Sequence, residues 1–277
     1  MPYTRGPEIS RSFDDVMRDT LHAAKTGAVE ICFLGQNVNG YKYTDENGKI
    51  FHLSDLIRET AKNPEIRRIR FTSSYPTEMT DDLIEMFSRT EKLLPFLNMP
   101  IQSGSPNVLR RMNRPYDLDA YLATVDKLRA ARPDIQISSD FIVGFPGESD
   151  ADFKQTLDIA RRVKYINSYS FKYSPRPHTA AATMPNQIPE NIKRERLAIL
   201  ENTLNEIQRE FNESCVGKTM RCLCEGTDKT GRHLIYRTPY MQQCIVAKPK
   251  DDTPDTIANI KITAANRASL RGEFTKN

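Results

Sequence analysis

Between residues 13 and 211 the apolar positions follow two alternating rhythms. Compact apolar runs at 29–34, 68–72, 96–100, 135–143 and 168–173 predict strands. In the fourth, Ile135, Ile137, Phe141, Ile142 and Val143 are what a strand covered on both faces requires. Helical spacing fills the gaps. One helix is predicted over about 13–26, and others follow Ser54, Thr80 and Asp117, the last with Leu118, Tyr121, Leu122, Val125 and Leu128 on one face. Phe153, Leu157, Ala160 and Val163 repeat at helical spacing after a turn with two glycines. Pro189, read as a first helical position, opens a long helix with Leu197, Leu200, Leu204, Ile207 and Phe211 in its buried stripe. Such alternation predicts parallel strands with right-handed crossovers, hence a doubly wound sheet or a (β/α) barrel.

After residue 212 the rhythm changes. Five short strands at 220–224, 234–236, 244–247, 257–263 and 270–274 are separated by turns carrying Gly226, Gly231, Pro239, Pro249 and Pro254. This pattern predicts a small all-β barrel of the OB-like kind, which often presents a sheet face to nucleic acid. The chain therefore divides into residues 1–212 and 213–277. Charge follows the same division. Residues 214–277 carry eleven Lys and Arg against six Asp and Glu, a net of +5, whereas the whole chain has +4. A basic module on a near-neutral body points to a polyanion partner, most directly nucleic acid.

The 38% apolar content includes no run of the roughly 20 residues a membrane helix needs, and residues 1–5 lack a signal peptide's apolar core, so the expected compartment is cytoplasmic. The five cysteines, Cys32, Cys215, Cys222, Cys224 and Cys244, are scattered and read as reduced thiols. Cys222 and Cys224 share one strand face, but no further Cys or His pair completes a tetrahedral site, and no metal ligand is assigned.

Three loops at the carboxyl ends of predicted strands stand out: Leu34-Gly35-Gln36-Asn37-Val38-Asn39-Gly40, Pro100-Ile101-Gln102-Ser103-Gly104-Ser105, and the stretch from Asp140 to Glu148. In a parallel barrel that rim is where chemistry is built. Glycine there lets backbone approach a ligand closely.

These loops, with Pro2-Tyr3-Thr4-Arg5-Gly6 and Ser10-Arg11, resemble the radical S-adenosylmethionine methylthiotransferases. Arg237-Thr238-Pro239 and Ser269-Leu270-Arg271-Gly272-Glu273 are similar to the TRAM domain that ends those enzymes. Gly35-Gln36-Asn37-Val38-Asn39 resembles the type that converts isopentenyladenosine next to the tRNA anticodon to its 2-methylthio form. The relatives acting on a ribosomal protein or on threonylcarbamoyladenosine are the alternatives. The resemblance implies an α/β chain, a partial (β/α) radical-SAM barrel followed by a small all-β OB-like TRAM domain. It implies S-adenosylmethionine and 4Fe-4S clusters as cofactors, tRNA as partner and a reductant. It places Gly35, Gln36 and Asn37 near the amino acid end of S-adenosylmethionine, and Gln102, Ser103 and Gly104 near its ribose. Asp140, Val143, Gly144 and Phe145 would lie near ribose and adenine. Arg5 and Arg11 become carboxylate or phosphate partners, and Arg176, with His178 beside it, substrate-facing.

In the family a C-x-x-x-C-x-x-C loop precedes the Pro-Tyr-Thr-Arg-Gly segment, which here starts at Pro2, and no other three cysteines have that spacing. The resemblance thus implies an amino-terminally truncated chain without the cluster loop or the first barrel strand, inactive alone. The other reading is a non-catalytic RNA-binding protein that keeps the barrel as scaffold. The strand at 29–34 becomes an edge that an independent function would have blunted with charge or proline, and only Glu30 is there to do so; this favours the truncated enzyme and predicts poor stability and a tendency to pair or aggregate. Arg67, Arg68 and Arg70, and separately Arg110, Arg111 and Arg114, read either as phosphate contacts or as surface charge without a role.

Overall fold

The computed structural model describes residues 8–114, 116–249 and 255–275. Helix α1 (Phe13–Lys25) starts where Ser12 accepts a hydrogen bond from the Asp15 amide, with Asp14 and Asp15 at the positive end of the helix dipole. It leads into β1 (Glu30–Phe33). A hairpin, β2 (Lys42–Thr44) and β3 (Ile50–His52), follows. Three-residue strands are too short for alternation to reveal, so the sequence pattern missed it. The body then continues as α2 (Leu53–Lys62), β4 (Arg68–Phe71), α3 (Asp81–Arg89), β5 (Phe96–Asn98), α4 (Pro106–Arg111), α5 (Leu118–Ala131), β6 (Gln136–Ser138), β7 (Asp140–Val143), α6 (Asp150–Val163), β8 (Tyr169–Lys172), the short α7 (Ala180–Thr183) and α8 (Glu190–Ser214).

The strands pair in parallel in chain order. Glu30 to Phe33 face Arg68 to Phe71, Phe96 to Asn98 face Gln136 to Ser138, and Asp140 to Val143 face Tyr169 to Lys172. β4 reaches β5 through the Ile69 carbonyl, which accepts from the Leu94 amide at 2.9 Å. The predicted single strand over 135–143 is broken at Ser139, whose hydroxyl accepts from the Ile101 amide at 2.9 Å. That break lets β6 pair with β5 and β7 with β8. The result is the expected partial (β/α) barrel. Ile69, Phe71, Leu97, Ile137, Phe141 and Val143 face the helices and are fully buried. Their alternates, including Glu30, Arg70, Asn98, Asp140, Ile142, Tyr169 and Phe171, share the inward face.

The free side of β1 opens on a cleft of about 850 Å³ whose lining includes Ile9, Arg11, Val16, Thr20, Ile31 and Leu34. Glu30 does not blunt this edge. Its carboxylate is clamped between Arg68 Nε at 2.7 Å and Arg70 Nε at 2.9 Å on β4. Pro189 is the N-cap of α8 rather than a first helical residue.

The tail is a closed five-stranded barrel of β9 (Thr219–Thr227), β10 (His233–Arg237), β11 (Gln243–Ala247), β12 (Ile257–Ala265) and β13 (Ser269–Phe274), in the order β10-β11-β13-β12-β9. Its core holds Met220, Cys222, Leu234, Tyr236, Cys244, Val246, Ile260, Ile262 and Leu270. It rests on the amino ends of the body strands, opposite the rim. Arg68, the first residue of β4, donates to the carbonyls of Arg237 and Thr238 at 2.9 and 3.2 Å. Asn167, just before β8, donates to the Tyr240 carbonyl at 2.8 Å, and the Tyr240 hydroxyl reaches Asp134 before β6. At the end of α8, the buried Asn212 accepts from Gln242 and donates to the Asn266 and Arg267 carbonyls. Arg68 is therefore an interdomain anchor, 3% exposed, and not a phosphate contact.

Candidate functional site

Polar loops line the carboxyl rim continuously from β1 to β8. After β1, Gly35 and Gln36 are exposed and Asn37 is half-buried, with its Oδ1 buried and unpaired. Asn39 ties this loop to the one after β4 in two directions, donating to the Tyr75 carbonyl at 2.8 Å and accepting from the Tyr75 amide at 2.7 Å. In that second loop Ser73 has a φ of 62° and the Ser74 hydroxyl is buried without a partner. This loop carries little sequence signal. Its only signal was a pair of serines directly after a strand.

Tyr75 packs edge-on against Tyr116, whose hydroxyl donates to the Ile101 carbonyl at 2.6 Å. The next residue, Gln102, has a φ of 70°. For a side chain other than glycine that conformation costs of order 1–3 kcal/mol, and it persists only where surroundings impose it. Here β7 does so: the Gln102 amide donates to the Asp140 carbonyl and its carbonyl accepts from the Ile142 amide, both at 2.9 Å. Gln102 and Asp140 are thus locked together. Burial pushes the Asp140 carboxyl above its ordinary value, and the positive charge of Arg114 pulls it part of the way back. Arg114 also lies 6.0 Å from the centre of the Tyr75 ring.

Ser103 and Gly104 face helix α6. Ser103 is fully buried against Thr156, and a Cβ on Gly104 would lie 2.6 Å from the Thr156 Cα. Their composition reflects close approach of the loop to α6. Ser105, next along, donates to Asp152 at 2.5 Å and caps α4.

The turn after β7 is built on a buried carboxylate. Gly144 has a φ of 71°, and its amide donates to Glu148 Oε1 at 2.9 Å. Arg196 of α8 donates to the same oxygen at 2.8 Å and to Asp150 at 2.6 Å. Burial raises the Glu148 pKa, while the Gly144 amide and Arg196 oppose the shift. Sequence reading missed Arg196 because its partners are 46 and 48 residues away. Phe145 is buried edge-on against Tyr173, and Val143 is fully buried, so what this turn offers a ligand is backbone.

Arg11 lies on the β1 cleft, exposed and paired with Asp19 at 2.8 Å. Arg176 is exposed beyond β8. Arg5 lies outside the described residues. Arg111 donates to the Pro146 carbonyl at 3.2 Å, bracing the glycine turn.

The organic part of an adenosyl cofactor fits this rim, which presents buried, unpaired oxygens at Asn37 and Ser74 and a half-buried acid at Asp140. An iron–sulfur cluster does not fit this chain's residues. Cys215, Cys222 and Cys244 are buried in the tail, where burial pushes the Cys222 thiol to about 12 and that of Cys244 to about 11, away from the thiolate a cluster needs. Cys32 is half-buried on β1, and among the described residues no group of three His, Cys, Asp or Glu is placed to hold a metal.

Known proteins carry the same layout. The chain is 50% identical over 274 residues to the tRNA-2-methylthio-N(6)-dimethylallyladenosine synthases of Rickettsia canadensis and Rickettsia bellii, covering 99% of this chain and 61% of each relative. It thus spans about three fifths of the length of these curated relatives. Among solved structures, Escherichia coli coproporphyrinogen III oxidase, described as a radical SAM enzyme, superposes with a TM-score of 0.50 at 19% identity, over 69% of this chain and 45% of its own, a likeness of fold alone. Residues 213–275 match the TRAM domain. Residues 1–160 match the radical SAM superfamily, and the chain belongs to that superfamily.

Proposed function

We propose that this chain is the S-adenosylmethionine- and tRNA-binding portion of a methylthiotransferase that modifies C2 of isopentenyladenosine next to the tRNA anticodon, in the cytoplasm. The observation that carries this reading is the 50% identity, which runs through both barrels rather than the body alone. S-adenosylmethionine supplies a methyl group and an adenosyl group when bound. On this reading the Asn37 Oδ1 and the exposed backbone of Gly35 and Gln36 accept from the cofactor's ammonium. Asp140, beside Gln102, accepts from the ribose hydroxyls, and the backbone from Val143 to Phe145 borders the adenine. Ser103 and Gly104 set the position of Gln102 from behind. Arg11 and Arg176 contact carboxylate or phosphate groups, and Arg5 belongs to the same set by sequence. No step through a cluster is derived, because these residues do not hold one. The complete reaction also calls for a one-electron reductant.

Calorimetric titration with S-adenosylmethionine tests the reading. Asp140→Asn and Asn37→Ala are each expected to weaken binding about tenfold, the loss expected for a hydrogen bond to a charged group. Absence of binding in the millimolar range overturns the cofactor assignment. The cysteine environments favour a second reading, a tRNA-binding protein without turnover. Both readings expect no stable cluster on this chain after anaerobic reconstitution with iron and sulfide, and a stable cluster with bound cofactor overturns that expectation; the calorimetric titration separates the two, since binding of S-adenosylmethionine favours the first.

A further inference from the structure

Strand β8 connects the two parts of the molecule. Its amino end follows Asn167, which holds the Tyr240 carbonyl of the tail, and its carboxyl end leads to Tyr173, whose amide donates to Val143 beside the glycine turn. α8 covers one face of this strand, where Lys172 pairs with Glu190. The other face carries Tyr169 and Phe171, which pair in register with Asp140 and Ile142 and so point inward with them. Both rings are open to solvent, Tyr169 at 64% and Phe171 at 55%, although their strand is paired. Among the described residues neither ring stacks on another.

Two aromatic side chains two residues apart on a strand stand about 6.6 Å apart, given a rise of about 3.3 Å per residue. Such a ladder beside positive charge is how proteins hold unpaired nucleobases without reading their sequence. The charge is present at both ends. The tail carries a net of +5 at one, and Arg176, exposed and beyond the other, follows directly from β8. Arg70 stands half-buried on the same inward face, with Glu30 shared between it and Arg68.

We infer that Tyr169 and Phe171 form a stacking shelf for the unpaired bases of an RNA strand running from the tail barrel towards the rim. The inference rests on the tRNA reading above and adds where the strand runs and what grips its bases.

The test uses the full chain and an oligouridylate carrying one 2-aminopurine, whose fluorescence falls when the base stacks. Wild type is expected to quench the probe. Tyr169→Ala and Phe171→Ala are each expected to weaken binding by about fivefold or more and to reduce the quenching. Tyr169→Phe with Phe171→Tyr is expected to keep both, since stacking needs only the rings. Circular dichroism of the alanine variants should be unchanged, as both side chains are on the surface. If wild type binds with a steep salt dependence but the double alanine variant binds and quenches equally, the shelf is refuted while the tRNA reading stands. If wild type binds no RNA at 50 mM salt, both fall. A wild-type dimer in gel filtration that the double alanine variant abolishes assigns the rings to a contact between copies and overturns the inference.

Discussion

Glu30 offers an internal experiment, because one carboxylate holds two arginines in different surroundings. The Arg68 side chain is 4% exposed and that of Arg70 is 26% exposed, yet each donates to Glu30 through Nε at nearly equal distance. Arg68 also supplies the donors for two carbonyls of the tail. Burial pushes the Arg68 guanidinium below its ordinary pKa, with Glu30 opposing, and each of its three nitrogens donates a hydrogen bond. Arg68→Met keeps the stem, removes a donor from the Arg237 and Thr238 carbonyls, the second of which keeps the Met241 amide, and takes one cation from a carboxylate that retains the other. Breaking a buried pair costs about 3–5 kcal/mol, and the remaining arginine places this case at about 3 kcal/mol. Arg70→Met removes a partly solvated pair and should cost about 0–1 kcal/mol. Urea unfolding, followed by circular dichroism and by tyrosine fluorescence since the chain has no tryptophan, separates the two. For Arg68→Met we further expect the transition to split, the tail melting apart from the body, because the lost bonds are those joining them. Equal midpoints for the two variants, with a single transition in both, would refute the argument that burial and the tail carbonyls set the difference.

Gly104→Ala should cost several kcal/mol or abolish soluble expression, since its Cβ meets the backbone of Gln155 and Thr156, which cannot yield as a flexible side chain can; a melting temperature within 2 °C of wild type contradicts this. Gly144→Ala should be milder, about 1–2 kcal/mol by thermal melt, because the obstacle is the Lys193 stem and the remaining cost is the positive φ. Burial disfavours the Asp152 carboxylate, but hydrogen bonds from Ser105 and Ser149 outweigh that and hold its pKa below the ordinary carboxylate value. Its stabilisation is therefore present above about pH 3.8 and lost as pH falls through the lowered value, so Asp152→Asn should flatten the acid limb of a melting-temperature profile. Glu148 has the opposite sign. Its raised pKa means its contribution to stability falls as pH climbs above about 4.5, a decline that Glu148→Gln should remove from a melting-temperature profile.

Much of the fold was legible. The strands over 29–34, 68–72, 96–100 and 168–173 and the five strands of the tail were visible because each is a short apolar or alternating run between turn-forming residues. The helix after Ser149 was visible from its 3.6 period. The hairpin at 42–52, α4 and the break at Ser139 were not, since three to six residues carry no period and a serine inside an apolar run gives no warning. For the site, glycine and amide content at strand ends marked the three rim loops. It did not distinguish Gly104, a packing residue, from Gly144, a turn residue with positive φ, because both read simply as Gly.

The sequence by itself determined most of the strands and the longer helices, that the body is a parallel β/α array with its candidate site at the carboxyl rim, and that the basic charge belongs to the tail. These follow from local period and composition. The tertiary structure decided the partnerships: Glu30 with Arg68 and Arg70, Glu148 with Arg196, Asn212 with Gln242, and the seating of the tail on the amino ends of the strands. It also turned Arg68 from a candidate phosphate contact into a buried anchor and left Tyr169 and Phe171 bare. The physical reason is that burial and pairing depend on groups brought together across tens to more than a hundred residues of chain, which no local period encodes.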